Sequence, residues 1–444
     1  MADSVSRDYF PKQTVSDEYK NSAEYGLRIG KAIENEWFQT GGVNNKYYQT
    51  KDRFHKLRSY ARGEQSIQKY KDELSINGDL SYLNLDWKPV PIIPKFVDIV
   101  VNGMSQRVYD IKAYSQDKFG VEKRTKYMED ILKDMNSIPF TQMAAGAGID
   151  VRSSQMETEE LPGNEEELSL HMQLDYKQGI EIAEEEAINC LMDGNKYDLI
   201  RSRFIYDLTV LGIGAVKTSY SKSRGVTIDY VDPAKLVYSY TESPYFEDIY
   251  YVGEIKTITV NELVKEFPDL TIEELKDIQE SKPEHELNFN QTYTHKGGQN
   301  SGKVQVLYFN YKTFNNEVYK MKKTSSGGVK AILKSDKFDP PKELQGDFTK
   351  LEKAVEVLYE GAMVLGTNKL LSWGLAKNMM RPKSDYTKCK MNYSIVAPRM
   401  YKGKIESLVS RTTGFADMIQ LTHLKLQQVM SRMIPDGIYL DADG

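Results

Sequence analysis

The hydrophobic pattern changes period along the chain, helical first and strand-like later. Tyr47, Phe54, Leu57, Tyr60 and Ile67 recur at helical spacing and predict a helix over 46–74 that stops at Asn77-Gly78. Before it, an amphipathic stretch around 27–38 ends at Gly41-Gly42, so residues 1–45 read as a loosely anchored arm or peripheral helix. Trp87-Lys-Pro-Val-Pro-Ile-Ile-Pro94 cannot be helical, because each proline fixes φ and pushes its predecessor into an extended conformation. The helix that follows is expected to turn Phe96, Ile99, Val100 and Met104 inward. Helical spacing persists over 112–150, 168–190 and 196–211, interrupted by an acidic, loop-like run from Met156 to Glu167.

At Gly212 the period drops to two. Gly214–Tyr220 and Val226–Val231 flank a Ser-Arg-Gly turn and predict a hairpin closed by Asp232-Pro233, with a further strand over 249–258. Thr259 is an N-cap for residues 260–267, and Thr271 with Glu274 forms a capping box for a second helix ending near Ser281. Residues 284–302 are polar and read as a loop. Strand pairs are expected at 304–314 with 317–323, joined at Asn315-Asn316, and at 355–365 with 369–377. Finally Ile405, Leu408, Val409, Phe415, Ile419, Leu426, Val429 and Met430 recur at helical spacing from Gly403 to Met433, a helix roughly 45 Å long at 1.5 Å per residue. It ends at Pro435-Asp-Gly437, and the natural chain is expected to continue past Gly444. The fold class is therefore α+β.

Composition narrows the functional classes. A chain of 444 residues has room for two to four domains, and 40% apolar against 28% charged residues is too apolar for wholesale disorder. Thirty tyrosines supply rings with a polar tip, a residue type favoured at half-wet interfaces. The net charge of −5 lacks the basic excess of a protein that grips phosphate backbones throughout. Cys190 and Cys389 lie too far apart for a metal knuckle, fit a reducing compartment and are expected to be buried. No stretch approaches the roughly 20 apolar residues a membrane span needs.

Catalytic motifs are missing. There is no G-x-x-x-x-G-K-[ST] and no G-x-S-x-G, and the five histidines are too scattered for zinc spacing. Gly212-Ile-Gly214 lies between a helix and a strand, the reverse of dinucleotide-binding order. The acidic run at 157–167 lacks EF-hand periodicity, and a solvated loop explains it better than Mg2+ or Ca2+ chelation. No cofactor or metal is expected. Lys312, Lys320, Lys322, Lys323, Lys330 and Lys334, interleaved with Phe314 and Tyr319, can touch phosphates or can blunt strand edges.

Several phrases in this order resemble the portal proteins of tailed bacteriophages, most closely those of crAss-like podophages of Bacteroidales. They are Tyr206-Asp-Leu-Thr-Val-Leu-Gly-Ile-Gly-Ala-Val-Lys217, Val226-Thr-Ile-Asp-Tyr-Val-Asp-Pro-Ala-Lys-Leu-Val237, Pro244-Tyr-Phe-Glu-Asp-Ile-Tyr-Tyr-Val-Gly253, Thr259-Val-Asn-Glu-Leu263, and Pro398-Arg-Met-Tyr-Lys-Gly-Lys-Ile-Glu-Ser-Leu408 ahead of the long helix. The resemblance spans about 46–440. It implies a non-enzymatic ring of about twelve subunits at one capsid vertex, assembled in the host cytoplasm. Viral DNA would be packaged and ejected through it, and the major capsid protein, a terminase and head-tail connector or tail proteins would dock on it. It implies an N-terminal arm (1–45), a wing (46–258), a first stem helix (259–283), a clip (284–401), a second stem helix (402–434) and the start of a channel loop (435–444). Lys402, Lys404, Arg411, Lys425 and Arg432 would then face the channel or a neighbouring subunit, and Lys312, Lys320, Lys322 and Lys323 would lie in the clip. The alternatives are a metal-dependent enzyme acting on nucleic acid, or another virion component such as a connector or cargo protein.

Overall fold

The computed structural model describes residues 9–38, 45–75, 85–146, 148, 153–154, 156, 160–280, 303–323, 329–334, 348–382 and 384–432. The expected loop over 284–302, the channel-loop start at 435–444 and the Asn77-Gly78 stop lie outside them. The chain is mixed α+β. It divides into two compact units, residues 107–198 and the remainder.

The larger unit opens with α1 (Asp17–Lys20), α2 (Ala23–Phe38), α3 (Lys46–Arg62), α4 (Gln68–Leu74) and α5 (Ile93–Ser105). The single helix expected over 46–74 is α3 and α4. Gly63 takes φ +73, and the Gly63 and Glu64 amides close the end of α3 onto Tyr60 and Ser59 carbonyls, a left-handed cap that glycine adopts at little cost. In α5 the inward residues are Ile93 and Val97, while Phe96 and Ile99 are exposed, the opposite of the expected face. The smaller unit is helical: α6 (Lys118–Asn136), α7 (Ile138–Gly146), α8 (Glu165–Leu174) and α9 (Gly179–Gly194). Cys190 on α9 is exposed, contrary to expectation, whereas Cys389 is buried.

After α10 (Tyr197–Val210) the larger unit builds two main sheets. β1 (Gly214–Ser221) and β2 (Gly225–Val231) form the expected hairpin in the register Ser221 opposite Gly225. Of the later strands, β3 (Leu236–Tyr238), β4 (Tyr251–Thr259), β5 (Lys303–Lys323), β6 (Val329–Lys334), β7 (Phe348–Val364) and β8 (Leu370–Leu375) form the second sheet in the order β3-β4-β5-β7-β8, with β6 paired to the outer half of β5. The β9 strand (Tyr393–Val396) completes the first sheet beside β1.

β5 is one continuous strand of 21 residues, so the turn expected at Asn315-Asn316 does not exist. A two-residue hairpin needs positive φ at one or both turn positions, most readily supplied by glycine, and here the long β7 offers an unbroken ladder through Phe314–Glu317 instead. Between the sheets' strands, α11 (Val260–Glu266) and α12 (Ile272–Glu280) replace the single stem helix expected over 259–283. Pro268 cannot donate to a continuing helix, and each helix has its own threonine start, at Thr259 and Thr271.

Strand alternation divides the core. Tyr251, Leu307, Phe309, Tyr311 and Met363 face α2, which presents Tyr25, Ile29, Ile33 and Trp37. A Cβ on Gly26 would lie 2.5 Å from Trp373, and one on Gly30 2.7 Å from the Met363 sulfur, so the two glycines let α2 approach the sheet. The opposite face packs Val252 and Leu358 with Ala215 and Ile395 of the first sheet, and Val306, Ala362 and Val364 under α11 and α12.

Candidate functional site

The chain ends its described part with a small hairpin, β10 (Met400–Tyr401) and β11 (Lys404–Ile405), followed by α13 (Leu408–Arg432). Lys402 and Lys404 are therefore not on the long helix. Lys402 (φ 48) and Gly403 (φ 73) are the positive-φ pair of the hairpin's two-residue turn. The helix starts only at Ser407, whose Oγ accepts from the Ser410 amide while Ser410 Oγ accepts from the Ser407 amide, both at 2.9 Å.

α13 docks on the larger unit through polar groups. Buried Gln420 accepts from the Val90 amide at 2.7 Å and donates to the Lys88 carbonyl at 3.2 Å. Gln427 accepts from the Asp86 amide at 3.1 Å. Among the described residues the proline-rich segment has no strand partner to satisfy these groups, and the helix supplies one. Asp417 accepts from the Tyr60 and Tyr70 hydroxyls at 2.8 and 2.7 Å and pairs with Lys69. Burial pushes the Tyr70 hydroxyl pKa upward, and Asp417 adds to the shift. Burial opposes the Lys69 charge, but the Asp417 and Tyr60 bonds outweigh it and hold its pKa up.

With Val409, Ala416, Gln420 and Leu424 turned inward, the apolar stripe read from the sequence lies on the other side. Phe415 (65% exposed), Ile419, Leu426, Val429 and Met430 (64%) are all exposed, with Met418 between them. They form two groups on one side of the helix, Phe415 with Met418 and Ile419, and Leu426 with Val429 and Met430, spaced by three or four residues within each and seven between. Arg411 and Lys425 are exposed beside these groups and have no ion-pair partner among the described residues. Arg432 ends the helix, and its side chain lies outside the described residues.

The basic residues of the second group are spread along β5. Lys312 belongs to the body of the sheet, where its ammonium reaches the Glu247 carbonyl at 3.5 Å. Lys320 and Lys322 lie in the outer half, where only β6 and β7 flank the strand. Lys323 closes β5, and its side chain lies outside the described residues.

A second cluster was not singled out by sequence. Arg58 on α3 forks onto Asp232 at 2.7 and 3.2 Å and reaches Asp207 on α10 at 3.0 Å, and the Tyr230 hydroxyl also donates to Asp207. These groups line a cleft of about 640 Å3 with Arg62, Arg203 and Tyr206. Burial raises the Asp207 pKa despite Arg58, while for Asp232 the Arg58 bonds overcome burial and hold it below the usual range. Both carboxylates are occupied, so the cluster ties α3 to α10 and the end of β2. It was illegible because its members lie up to 174 residues apart.

The smaller unit carries unusual apolar exposure. Among its described residues Ile131 and Leu168 are the buried large apolar side chains, whereas Phe119 (70%), Phe140 (62%), Met143 (79%), Ile180 and Ile182 are among those exposed. Its order comes from polar contacts: Glu181 accepts from the Ser115 amide and Arg124 and closes the Gln178 cap.

No group of three His, Cys, Asp or Glu side chains able to hold a metal occurs among the described residues, and no described helix is long and apolar enough to cross a membrane. No protein-family model matches the chain, and no curated protein matches it.

Proposed function

We propose that the chain is the portal subunit of a tailed bacteriophage, a structural protein that closes into a ring of about twelve at one capsid vertex. DNA would pass through the ring in packaging and ejection, and the major capsid protein, a terminase and tail or connector proteins would dock on it. The observation that carries the reading is the outward apolar seam of α13. A monomer that leaves six large apolar side chains on one side of its longest helix is built to be covered, and identical copies in a closed ring cover such a seam on every subunit at once. The sparsely packed smaller unit points the same way, since a helical body with so few buried apolar side chains gains its core from a neighbour. The phrases from Tyr206 to Leu263 supply the particular family.

In this reading Arg411 and Lys425 are available to carboxylates of the next subunit, and an acidic chain overall lets the duplex slide. Electron microscopy of the purified chain, with mass photometry of the same sample, tests it. Rings of about twelve with an axial hole wide enough for a duplex are expected. A compact monomer or dimer that cleaves DNA with added Mg2+ would overturn the reading in favour of a metal-dependent nuclease.

A further inference from the structure

We propose that in the assembled ring α13 of one copy docks on α9, in the smaller unit, of the next copy. The two helices share an inverted construction. α13 is fastened to its own unit by Asp417, Gln420 and Gln427 and leaves six large apolar side chains outside. α9 is fastened within the smaller unit by carboxylates: Glu181 takes the Ser115 amide and Arg124, while Glu185 takes the Ala113 amide at 3.0 Å and pairs with Lys177. Its Ile180, Ile182, Ile188 and Leu191 are all exposed. A surface helix ordinarily turns its apolar side to the core and its polar side to water. Two helices built the other way round each present a face that gains by being covered.

Charge selects the pairing. Residues 107–198 hold ten Lys and Arg against twenty Asp and Glu, a net of −10, while the rest of the chain holds 49 against 44, a net of +5. The two helices repeat this division locally. Arg411 and Lys425 stand on the exposed part of α13, whose one acidic residue, Asp417, is committed to Tyr60, Tyr70 and Lys69. Glu184 and Glu186 stand among the exposed aliphatics of α9, which carries no Lys or Arg. Like Arg411 and Lys425, these two carboxylates have no ion-pair partner among the described residues.

An apolar face set with cations and an apolar face set with carboxylates are complementary, whereas either one against its own copy brings like charges together. A phosphate backbone would satisfy Arg411 and Lys425 but leave the apolar side chains beside them uncovered, so the two cations form the rim of a protein contact. Each copy carries both faces once. A contact between two different patches of the same chain is heterologous, and repeated by rotation it closes a ring in which every patch is covered. The inference rests on the ring reading and names the surfaces that join its copies.

Charge exchange in the full chain tests the contact, read as the concentration of half-assembly in sedimentation velocity. Arg411→Glu with Lys425→Glu, and separately Glu184→Lys with Glu186→Lys, should each raise that concentration at least about tenfold. All four substitutions together should return it to within about threefold of wild type, because the pairs re-form with reversed sign. Melting temperatures should stay those of wild type, since all four sites are exposed. A second measurement does not depend on charge. Cys190 on α9 is exposed and Cys389 is buried, so Met418→Cys puts a thiol on α13 that a short bismaleimide should link to Cys190 of another copy. The resulting ladder of covalent oligomers should be missing from wild type and from Met418→Cys combined with Cys190→Ser. Wild-type assembly in either two-site variant, no recovery in the four-site variant, or links formed only within single chains would overturn the proposal. Wild-type rings without charge rescue would remove this contact and leave the portal reading standing. Open filaments with full rescue would keep the contact and overturn the ring, and a wild type that stays monomeric would overturn both.

Discussion

The Asp417 carboxylate accepts a 2.7 Å hydrogen bond from the Tyr70 hydroxyl, joining residues 347 positions apart. Tyr70 is 1% exposed, so this acceptor is the one its hydroxyl depends on away from water. With Tyr60 and Lys69 converging on the same carboxylate, Asp417 is the polar anchor that seats α13 on α3 and α4.

Removing the acceptor costs more than removing one donor. Asp417→Ala should lower unfolding free energy by about 3 kcal/mol, since it strands a buried hydroxyl and loses a charged partner. Tyr70→Phe should cost only about 1 kcal/mol. Urea denaturation of both variants measures the difference, and equal losses would mean that the hydroxyls find other acceptors.

Gly212 joins α10 to β1 at φ +82, and a Cβ there would lie 2.5 Å from the Glu406 carbonyl oxygen. Backbone conformation and space both exclude a side chain. Gly212→Ala should therefore destabilise by about 3 kcal/mol or more. Gly225, at φ +72 in the β1–β2 turn, has open space around it, and Gly225→Ala should cost only about 1 kcal/mol. Thermal melts of the pair separate conformational strain from steric exclusion.

Asp134 is buried in the smaller unit, which by itself would raise its pKa. Hydrogen bonds from the Ser153 amide at 2.9 Å, the Ser154 amide at 2.7 Å and Ser154 Oγ at 2.5 Å outweigh burial and hold it below the ordinary value. With the folded pKa depressed, the unfolded chain takes up the proton first as pH falls. The stabilisation is complete above about pH 4 and is lost as pH drops through the folded value. Asp134→Asn should therefore be less stable than wild type at about pH 6, with the gap closing below about pH 4. A gap that stays constant across that range would mean that Asp134 is not ionised in the fold.

Local punctuation was legible in the sequence, and long-range pairing was not. The Ser-Arg-Gly turn, the pair of β7 and β8, and the threonine starts at Thr259 and Thr271 follow from short-range rules and occur as expected. Gly63 broke a helix that periodicity alone carried through to Leu74, because a left-handed cap leaves the apolar pattern intact. The Asn315-Asn316 turn failed because the length of β5 is set by β7, far along the chain. The lysines of β5 were visible as residue types, but which of them share a face depends on a register that only the partner strands define. On α13 the period correctly gave a helix and an apolar stripe, but not which side of the helix meets the body. Asp417 and Gln420 turn the other side to the body, through partners on α3, α4 and the proline-rich segment.

The outward stripe of α13 gives the sharpest test of assembly. Phe415 and Leu426 are 65% and 56% exposed on the outer seam of α13, so charged residues there meet solvent in an isolated chain. Phe415→Glu with Leu426→Glu should change the stability of the monomer by no more than about 0.5 kcal/mol per site. In an assembly the same two carboxylates would be driven into a seam between subunits, where an unpaired charge costs several kcal/mol. The double variant should therefore run as a monomer in mass photometry at concentrations where the wild type assembles, with an unchanged melting profile. If it assembles as the wild type does, α13 is not the surface that joins the copies. If it melts markedly lower instead, the seam is covered within the chain itself.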